Sequence, residues 1–205
     1  MSVVTGPDGR DRCGWVGDDP EYRRYHDEEW GHPLHGDGPL FEKMSLEGFQ
    51  AGLSWITILR KRPAFRDAFA GFEPVKVAAF DDDDVERLMA DAGIVRNRAK
   101  ILATIGNARI VAEMPEGALD ALMWAYAPDA AGRPRPQAFA DLPATTPESN
   151  ALSRELKKRG FRFVGSTTVY ALMQSSGMVD DHLEGCWRAA ADDRGQSLSA
   201  AGGTL

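Results

Sequence analysis

The segment from residue 46 to residue 59 most constrains how this chain can fold, because it is mostly apolar yet contains a carboxylate, two glycines and a tryptophan. Leu46, Phe49 and Leu53 recur at the spacing of one helix face, which predicts a helix that faces the core. Glu47 would then lie among groups that cannot solvate its charge. A segment that served burial alone would not place a carboxylate there.

The same segment is predicted to break into two helices. On an unbroken helix Glu47 and Trp55 would lie about 12 Å apart along the axis, given a rise of roughly 1.5 Å per residue. Glycine destabilises a helix interior by about 1 kcal/mol, and serine is a favoured N-cap. We therefore expect a helix, a sharp turn at Gly52 and Leu53, and a second helix that begins near Ser54. This turn would bring the carboxylate and the indole to one cavity.

Length and composition predict one domain without a membrane segment. The chain has 205 residues and 43% hydrophobic content, enough to bury a sizeable core. It has no apolar run of about 18 residues and no apolar signal core near its start, so we expect a cytoplasmic protein with no membrane partner. The net charge of -7 argues mildly against nucleic-acid binding. Basic residues nevertheless cluster at 60–66, 96–100 and 154–162, and a backbone-binding surface needs only a local patch.

Apolar periodicity and capping residues predict an all-α fold. Only residues 161–164 have the composition of a strand, and the polar segments 1–11 and 192–205 are expected to be mobile tails around a single domain at 12–191. The expected helices begin at Pro20, near Leu46, near Ser54, at Pro63, at Pro74, at Val85, after Arg96, at Gly117, at Pro147 and at Ser166.

Residues 85–110 have the outline of a helix-hairpin-helix motif. Gly93 follows the apolar positions of the first helix and is expected to cap its C-terminus. Residues 94–96 then form a short connection to a longer helix that runs through Ile110. An acidic run at 81–84 precedes the first helix, where the helix dipole favours negative charge.

The two cysteines of the chain each have a histidine at a spacing suited to a shared metal ion. His182 and Cys186 are one helical turn apart, and Cys13 and His26 form a second pair upstream. A Cys2His2 set is closed and tetrahedral, which suits zinc and leaves no position for a catalytic water. The alternative is that the cysteines are unrelated core thiols and the histidines surface groups. The residues alone leave both interpretations open.

An unusually aromatic set of residues accompanies these candidates in the first third of the chain. Most aromatic clusters belong to the core. With Glu47 nearby, however, such a set could also form a stacking pocket for a flat cationic ligand, since ring faces attract positive charge and a carboxylate neutralises it. The residues alone do not choose between the two. The set comprises Trp15, Tyr22, Tyr25, Trp30 and Trp55.

Five separated motifs occur in order along the chain: RCGW at 12–15, YHDEEWG at 25–31, LEG with QAGLSW at 46–55, KKRGF with FVG at 157–165, and DH with a cysteine at 181–186. Together they resemble the family of DNA-3-methyladenine glycosylase I, the constitutive alkylation-repair enzymes of bacteria. The resemblance extends from about residue 12 to residue 187. It implies an all-α, helix-hairpin-helix glycosylase fold and a structural zinc ion that joins the terminal segments through Cys13, His26, His182 and Cys186.

The resemblance also implies roles for individual residues. Glu47 would be the catalytic-site carboxylate and, with Tyr25, would hydrogen-bond the methylated base, while Trp55 would stack on it. The walls would be Trp15, Tyr22 and Trp30. The residues expected to contact DNA are Gly52 and Leu53, near the space vacated by the flipped base, and Gly93, Arg96, Arg98 and Lys100, near phosphates at the hairpin.

The implied function is monofunctional excision of 3-methyladenine from alkylated double-stranded DNA by a monomer, with the free base and an abasic site as products. Methylation at N3 makes the base cationic and thus a good leaving group, which fits the lack of a counterpart to the catalytic aspartate of the wider superfamily. A non-catalytic, zinc-stapled DNA-binding module is the alternative, but it would have no reason to place Glu47 among tryptophans. A zinc deaminase would need an H-x-E…P-C-x-x-C pattern, which this sequence lacks.

Overall fold

The computed structural model describes residues 2–129 and 133–189. Most of them are helical, which confirms the all-α prediction in its broad form. The helices are α1 (Pro20–Glu28), α2 (Asp37–Gln50), α3 (Trp55–Ala68), α4 (Pro74–Ala78), α5 (Asp82–Ala90), α6 (Arg98–Glu113), α7 (Ala118–Trp124), α8 (Pro147–Lys158) and α9 (Ser166–Ser175). Single 3-10 turns occur at Ala70–Phe72 and Phe139–Asp141, and two short strands are β1 (Val3–Thr5) and β2 (Asp11–Cys13).

The predicted break between α2 and α3 is confirmed. Ser54 is the N-cap of α3, and Gly52 has a φ of +86°, a left-handed conformation that glycine adopts without a Cβ penalty. The turn is closed by Leu53 N–H, which donates to the Gln50 carbonyl at 2.7 Å. Leu53 is 41% exposed, because it lies beyond the end of α2 and does not continue the buried stripe.

Two other helix boundaries differ from those predicted by more than one turn. Helix α3 continues through Pro63, where the sequence predicted a new helix to begin. A proline removes one backbone donor from a helix interior, but Ile58 and Phe65 are buried on either side of it, so packing holds the helix together. Helix α2 begins at Asp37, well before the predicted start near Leu46. The Asp37 carboxylate accepts hydrogen bonds from backbone N–H groups at the start of α7, which fixes this end.

Residues 3–13 form an antiparallel hairpin where the sequence predicted part of a mobile tail and no strand. Val3 pairs with Cys13 and Thr5 with Asp11. The buried Arg12 guanidinium, at 2.6 Å from the Asp27 carboxylate, fastens the hairpin to α1. The strand-like composition at 161–164 was misleading, because Phe163 has a φ of +56° and the segment is irregular. The predicted boundary at 191 and the tail at 192–205 lie outside the described residues.

Helices α5 and α6 are joined by residues 91–97, with Asn97 as the N-cap of α6. Gly93 does not cap α5 as predicted, since the C-cap is Asp91. A Cβ atom at Gly93 would lie 3.0 Å from Ala64 Cβ and 2.9 Å from Asp91 Oδ1. The glycine is therefore required by the close approach of this connection to α3.

The buried apolar residues form two clusters. The larger contains residues of α2, α3, α5, α6, α8 and α9, and α2 packs against α3, α6, α7 and α9 within it. The smaller joins the N-terminal segment to residues 183–189 and includes Cys13, Tyr25, Trp30 and Cys186. Trp55 packs against both clusters, and the candidate site lies where they meet. None of the described helices has the length and apolar character needed to span a membrane.

Candidate active site

A cavity of about 200 Å³ opens beside the N-terminus of α3. It brings together all six residues that the sequence analysis assigned to a base pocket, and its remaining lining comes from α2, α9 and residues 139–142. The lining residues are Trp15, Tyr22, Tyr25, Trp30, Glu47, Gln50, Trp55, Phe139, Leu142, Ala171, Gln174 and Ser175.

Glu47 is the buried acid of this cavity. It lies one turn before the end of α2 and is 4% exposed. The Ser175 hydroxyl of α9 donates to Glu47 Oε1 at 2.9 Å. Burial raises the pKa of Glu47 to about 7, against the opposing effects of the Lys43 charge and the Ser175 hydrogen bond. A carboxylate with so few partners is poised to gain one from a ligand.

Aromatic rings surround this carboxylate. The Tyr25 ring is buried, and its centroid lies 5.4 Å from that of Trp55 at an interplanar angle of 44°. Burial raises the pKa of the Tyr25 hydroxyl well above its ordinary value, so this group is a neutral donor. Trp15 meets Tyr22 and Trp30 edge-on, at centroid separations of 5.2 and 5.3 Å. The cavity therefore offers ring faces and one acid to a flat ligand.

Sequence reasoning missed the lining residues that follow residue 130. Ser175 is the last residue of α9, a helix that has several other polar residues, so no local signal distinguished it. Phe139 and Leu142 lie in the proline-rich segment, where isolated apolar residues were the signal. Phe139 is exposed at the rim of the cavity.

A second buried carboxylate, Asp181, holds the wall formed by α9. It accepts hydrogen bonds from the Tyr170 hydroxyl at 2.5 Å, Gln174 Nε2 at 2.7 Å and Arg133 Nη2 at 2.7 Å. These three donors connect the segment after residue 132, helix α9 and the chain that leads into His182. Gln174 is thereby fixed at the edge of the cavity.

The two cysteines and two histidines identified in the sequence form one buried cluster, whose ligand atoms all lie within 4.8 Å of one another. Cys186 Sγ lies 3.5 Å from His26 Nε2 and 3.7 Å from His182 Nδ1, and Cys13 Sγ lies 3.8 Å from His182 Nδ1. A tetrahedral zinc site with bonds of about 2.3 Å to sulfur and 2.0–2.1 Å to nitrogen requires sulfur–nitrogen separations of about 3.6 Å. The cluster could therefore hold a metal ion.

Neighbouring groups orient the two imidazoles. His26 Nδ1 lies 2.8 Å from Asp27 Oδ1, which directs its Nε2 towards the cysteines. Asp27 also accepts from Arg12 and from Trp187 Nε1, so it connects the hairpin with the end of the described chain. Gly31 has a φ of +78°, and a Cβ there would lie 2.8 Å from His182 Nε2. Both facts require glycine at this position.

The residues expected to contact DNA occupy two adjoining surfaces. Gly52 and Leu53 lie at the exposed turn between α2 and α3. Lys100 is buried, and its Nζ donates to the carbonyls of Phe49 at 2.8 Å and Ala51 at 2.7 Å. This ammonium is therefore committed to the end of α2 and is not presented to a phosphate, contrary to the prediction.

The connection between α5 and α6 presents the remaining candidates. Arg96 is exposed, and Arg98 Nη2 lies 2.8 Å from Glu86 on α5. Lys61 of α3, which the sequence analysis assigned only to a basic cluster, donates to the carbonyls of Ala92 and Gly93. The connection is thus held against α3 on one side while its arginine side chains face solvent.

Comparison with known proteins is consistent with this geometry. The family model described as methyladenine glycosylase matches residues 15–189. The chain is 49% identical over 178 residues to DNA-3-methyladenine glycosylase 1 of Escherichia coli, covering 86% of this chain and 95% of that protein.

Two solved structures are also similar. The crystal structure of a 3-methyladenine DNA glycosylase I superposes with a TM-score of 0.80 and 46% identity, covering 86% of this chain and 98% of that one. A tyrosine-to-phenylalanine variant of 3-methyladenine DNA glycosylase I, solved in complex with 3-methyladenine, superposes with a TM-score of 0.77 and 35% identity, covering 86% and 96%.

Proposed function

The chain belongs to the methyladenine glycosylase family, and on this basis we propose that it excises 3-methyladenine from alkylated duplex DNA. It is a hydrolase of the N-glycosyl bond, and its reaction initiates base excision repair. We propose that the acting unit is a monomer of the predicted domain at 12–191.

The observation that carries the proposal is the burial of Glu47 within an aromatic cavity. A nucleotide methylated at N3 of adenine carries a positive charge, which ring faces and a carboxylate both stabilise. We assign the hydrogen bonds to the base to Glu47 and Tyr25, and the stacking surface to Trp55. Trp15, Tyr22 and Trp30 form the walls.

The chemistry needs little acid catalysis. The bond between N9 and C1′ breaks, its electron pair neutralises the cationic base, and a water oxygen bonds to C1′ while its proton is lost to solvent. The products are neutral 3-methyladenine and an abasic site. What the protein supplies is extrusion of the nucleotide, which costs a few kcal/mol of stacking and pairing, and retention of the correct base.

Selectivity against ordinary adenine follows from the same carboxylate. Neutral adenine brings no charge into the cavity, so it would leave Glu47 buried with Ser175 and the Lys43 charge as its partners. An unsatisfied buried polar group costs about 1–3 kcal/mol. This penalty falls on the normal base and is relieved by the methylated one.

The exposed turn at Gly52 and Leu53 is the element that we propose enters the space left by the flipped base. Its position between two helix ends, with Leu53 projecting into solvent, supports this role. The connection between α5 and α6 would act as the helix-hairpin-helix contact to phosphate, through its backbone N–H groups and Arg96, with Arg98 nearby. Lys100 supports the turn from within.

We also propose that the Cys2His2 cluster holds zinc. Cys13, His26, His182 and Cys186 would be its four ligands, and the ion would supply cross-linking, since four protein ligands leave no open position. Because Cys13 and Cys186 lie near opposite ends of the described chain, a shared ion would remove much unfolded-state entropy.

Cys186→Ala should lower zinc content and melting temperature together. Protein purified without chelators that contains no stoichiometric metal would contradict this proposal.

The activity is tested by incubating the protein with methylated duplex DNA and identifying released bases by chromatography. We expect 3-methyladenine in the supernatant and abasic sites in the DNA. Glu47→Gln should slow its release, while Glu73→Gln, an exposed acid paired with Lys76 on α4, should not. Borohydride should trap no covalent complex, because water is the nucleophile. Binding to methylated DNA without base release would instead indicate the non-catalytic module.

A further inference from the structure

A buried lysine lies behind the base pocket. Lys43 is one helical turn before Glu47 on α2, and it is 8% exposed. Its Nζ lies 5.0 Å from the ring centroid of Tyr25 and 5.6 Å from that of Trp55. These are two of the rings that form the pocket, so a positive charge lies close to the rings against which the base is proposed to bind.

Lys43 lines a second cavity of about 220 Å³ that shares Ser175 with the base pocket. The hydroxyl of Ser175 donates to Glu47, so this serine and Lys43 both act on the same carboxylate from the second cavity. The other charged or titratable groups that line the second cavity are Glu28, Glu29, His32, Glu42, Arg62 and Arg66.

Most of the acids around Lys43 already have cationic partners. Glu29 at the end of α1 pairs with Arg62 and with Arg24, and their charges lower its pKa to about 2 despite its burial. Glu42 pairs with Arg66. Glu47 is different, because its hydrogen bond comes from a neutral hydroxyl. The Lys43 charge is therefore the compensating charge for Glu47.

The two groups influence each other in the expected directions. Burial lowers the pKa of Lys43, whereas the charges of Glu47 and Glu29 raise it and that of Arg62 lowers it. Burial raises the pKa of Glu47, and the charge of Lys43 lowers it. Tyr22 and Tyr25 face the carboxylate as neutral phenols whose pKa values are raised.

We propose that Lys43 is a specificity-determining residue of the base pocket, whose buried ammonium favours the anionic form of Glu47 while the pocket is empty and moderates its preference for cations. This inference rests on the proposed function. With Lys43 present, a larger fraction of the protein offers the cationic base a carboxylate that has already lost its proton. Without it, Glu47 retains its proton to a higher pH and must lose it before it can pair with the base.

The first test follows the ionisation of Glu47 directly, without reference to activity. The carboxyl ¹³C resonance of Glu47, assigned by its absence in Glu47→Gln, is titrated in the free protein. We expect a midpoint near 7 in the wild type. Lys43→Met should raise it by about 1 pH unit or more, because a neighbouring opposite charge shifts a carboxyl by about 1–3 units and Lys43 is one helical turn from Glu47 on α2. Lys43→Arg should restore it.

Lys76→Met is the matched control, because it removes the same charge from an exposed position on α4. It should leave the midpoint unchanged. Should Lys43→Met fail to fold, Lys43→Gln replaces it, since it keeps a polar side chain without the charge. Equal midpoints in the wild type and the uncharged variant would overturn the inference.

The second test measures kcat/KM for 3-methyladenine release from duplex DNA between pH 6 and pH 9. The lesion in DNA carries a fixed charge, so the pH dependence reports on the protein. In Lys43→Met the fall in kcat/KM on acidification should begin at a higher pH. The variant's kcat/KM should be about tenfold lower at pH 7 than at pH 9, where it recovers. A purely structural role would instead lower the rate by the same factor at every pH, and that result would overturn the inference.

A wild type that releases no base would overturn the proposed function, while the titration still decides whether Lys43 controls Glu47.

Discussion

Two buried carboxylates that both accept hydrogen bonds from α9 have opposite environments. Asp181 is 1% exposed and receives hydrogen bonds from a tyrosine, a glutamine and an arginine. Glu47 is 4% exposed and receives one, from Ser175. Burial alone therefore does not distinguish a structural acid from a functional one. The number and charge of the donors do, because an under-satisfied acid is stable only if its site is completed by a ligand or a proton.

The largest expected effect comes from removing the satisfied acid. Asp181→Ala should lower the free energy of unfolding by about 3–5 kcal/mol, because it leaves three donors without their shared acceptor. Denaturant unfolding measures this loss. Glu155→Gln, which breaks an exposed pair with Arg159, should cost less than about 1 kcal/mol. Similar losses in the two variants would mean that Asp181 stabilises the fold no more than an exposed acid, and the contrast with Glu47 would fail.

Replacing the under-satisfied acid, Glu47, should instead stabilise the folded protein. The pKa of Glu47 is about 7 in the folded protein against an ordinary value of 4.5, so the folded state binds more protons between these pH values and loses stability as the pH rises through them. Glu47→Gln should therefore stabilise the free protein by about 3 kcal/mol at pH 8.5 and by little at pH 4.5. Urea unfolding at both pH values tests this, and a pH-independent difference would contradict it.

Ligand binding separates charge from stacking. Trp55→Ala should weaken binding of free 3-methyladenine by about 1–3 kcal/mol, the usual contribution of a base stacked on an aromatic ring. It should leave the pH dependence of binding largely intact, whereas Glu47→Gln should weaken binding and flatten that dependence. Calorimetric titrations at several pH values provide the comparison. Identical pH profiles in the wild type and Glu47→Gln would mean that the pocket selects the base by stacking alone.

The smallest effect on binding of the free base is expected from a change at the turn outside the pocket. Lys100→Met removes two hydrogen bonds to the carbonyls of Phe49 and Ala51. The turn at Gly52 should then become more mobile, with a loss of about 1–3 kcal/mol in stability. Excision from DNA should show a raised KM, while binding of the free base should change little. A Schiff base lost in this variant would instead make Lys100 a nucleophile.

The sequence predicted those features that depend on neighbours along the chain. The break at Gly52 followed from glycine conformation and serine capping. Spacing left the grouping of the two cysteines with two histidines open, and the resemblance to the glycosylase family implied it. The role of Lys100 did not follow from the sequence, because a lysine in a basic run has the same local signal whether it faces phosphate or folds back onto α2. Lys43 and Ser175 were missed for a related reason. Their significance comes from packing between α2 and α9, which no local pattern encodes.

The hairpin at residues 3–13 illustrates the same limit. Its strands are too short to be recognised by alternation, and it is held by the contact of Arg12 with Asp27, a residue of another element. Pro63 shows the converse, where a strong local signal for a helix start was overridden by buried residues on both sides.

The hydrogen bonds of Lys100 also fix the distance between the start of α6 and the end of α2. Its side chain originates at the first turn of α6 and ends on the last carbonyls of α2. In the proposed complex, the connection before α6 contacts the DNA backbone and the turn after α2 enters the base stack. One lysine therefore sets the distance between these two elements. The distance between these two DNA-contacting elements would then be fixed, and a duplex whose groove spacing departs from it could not contact both elements at once.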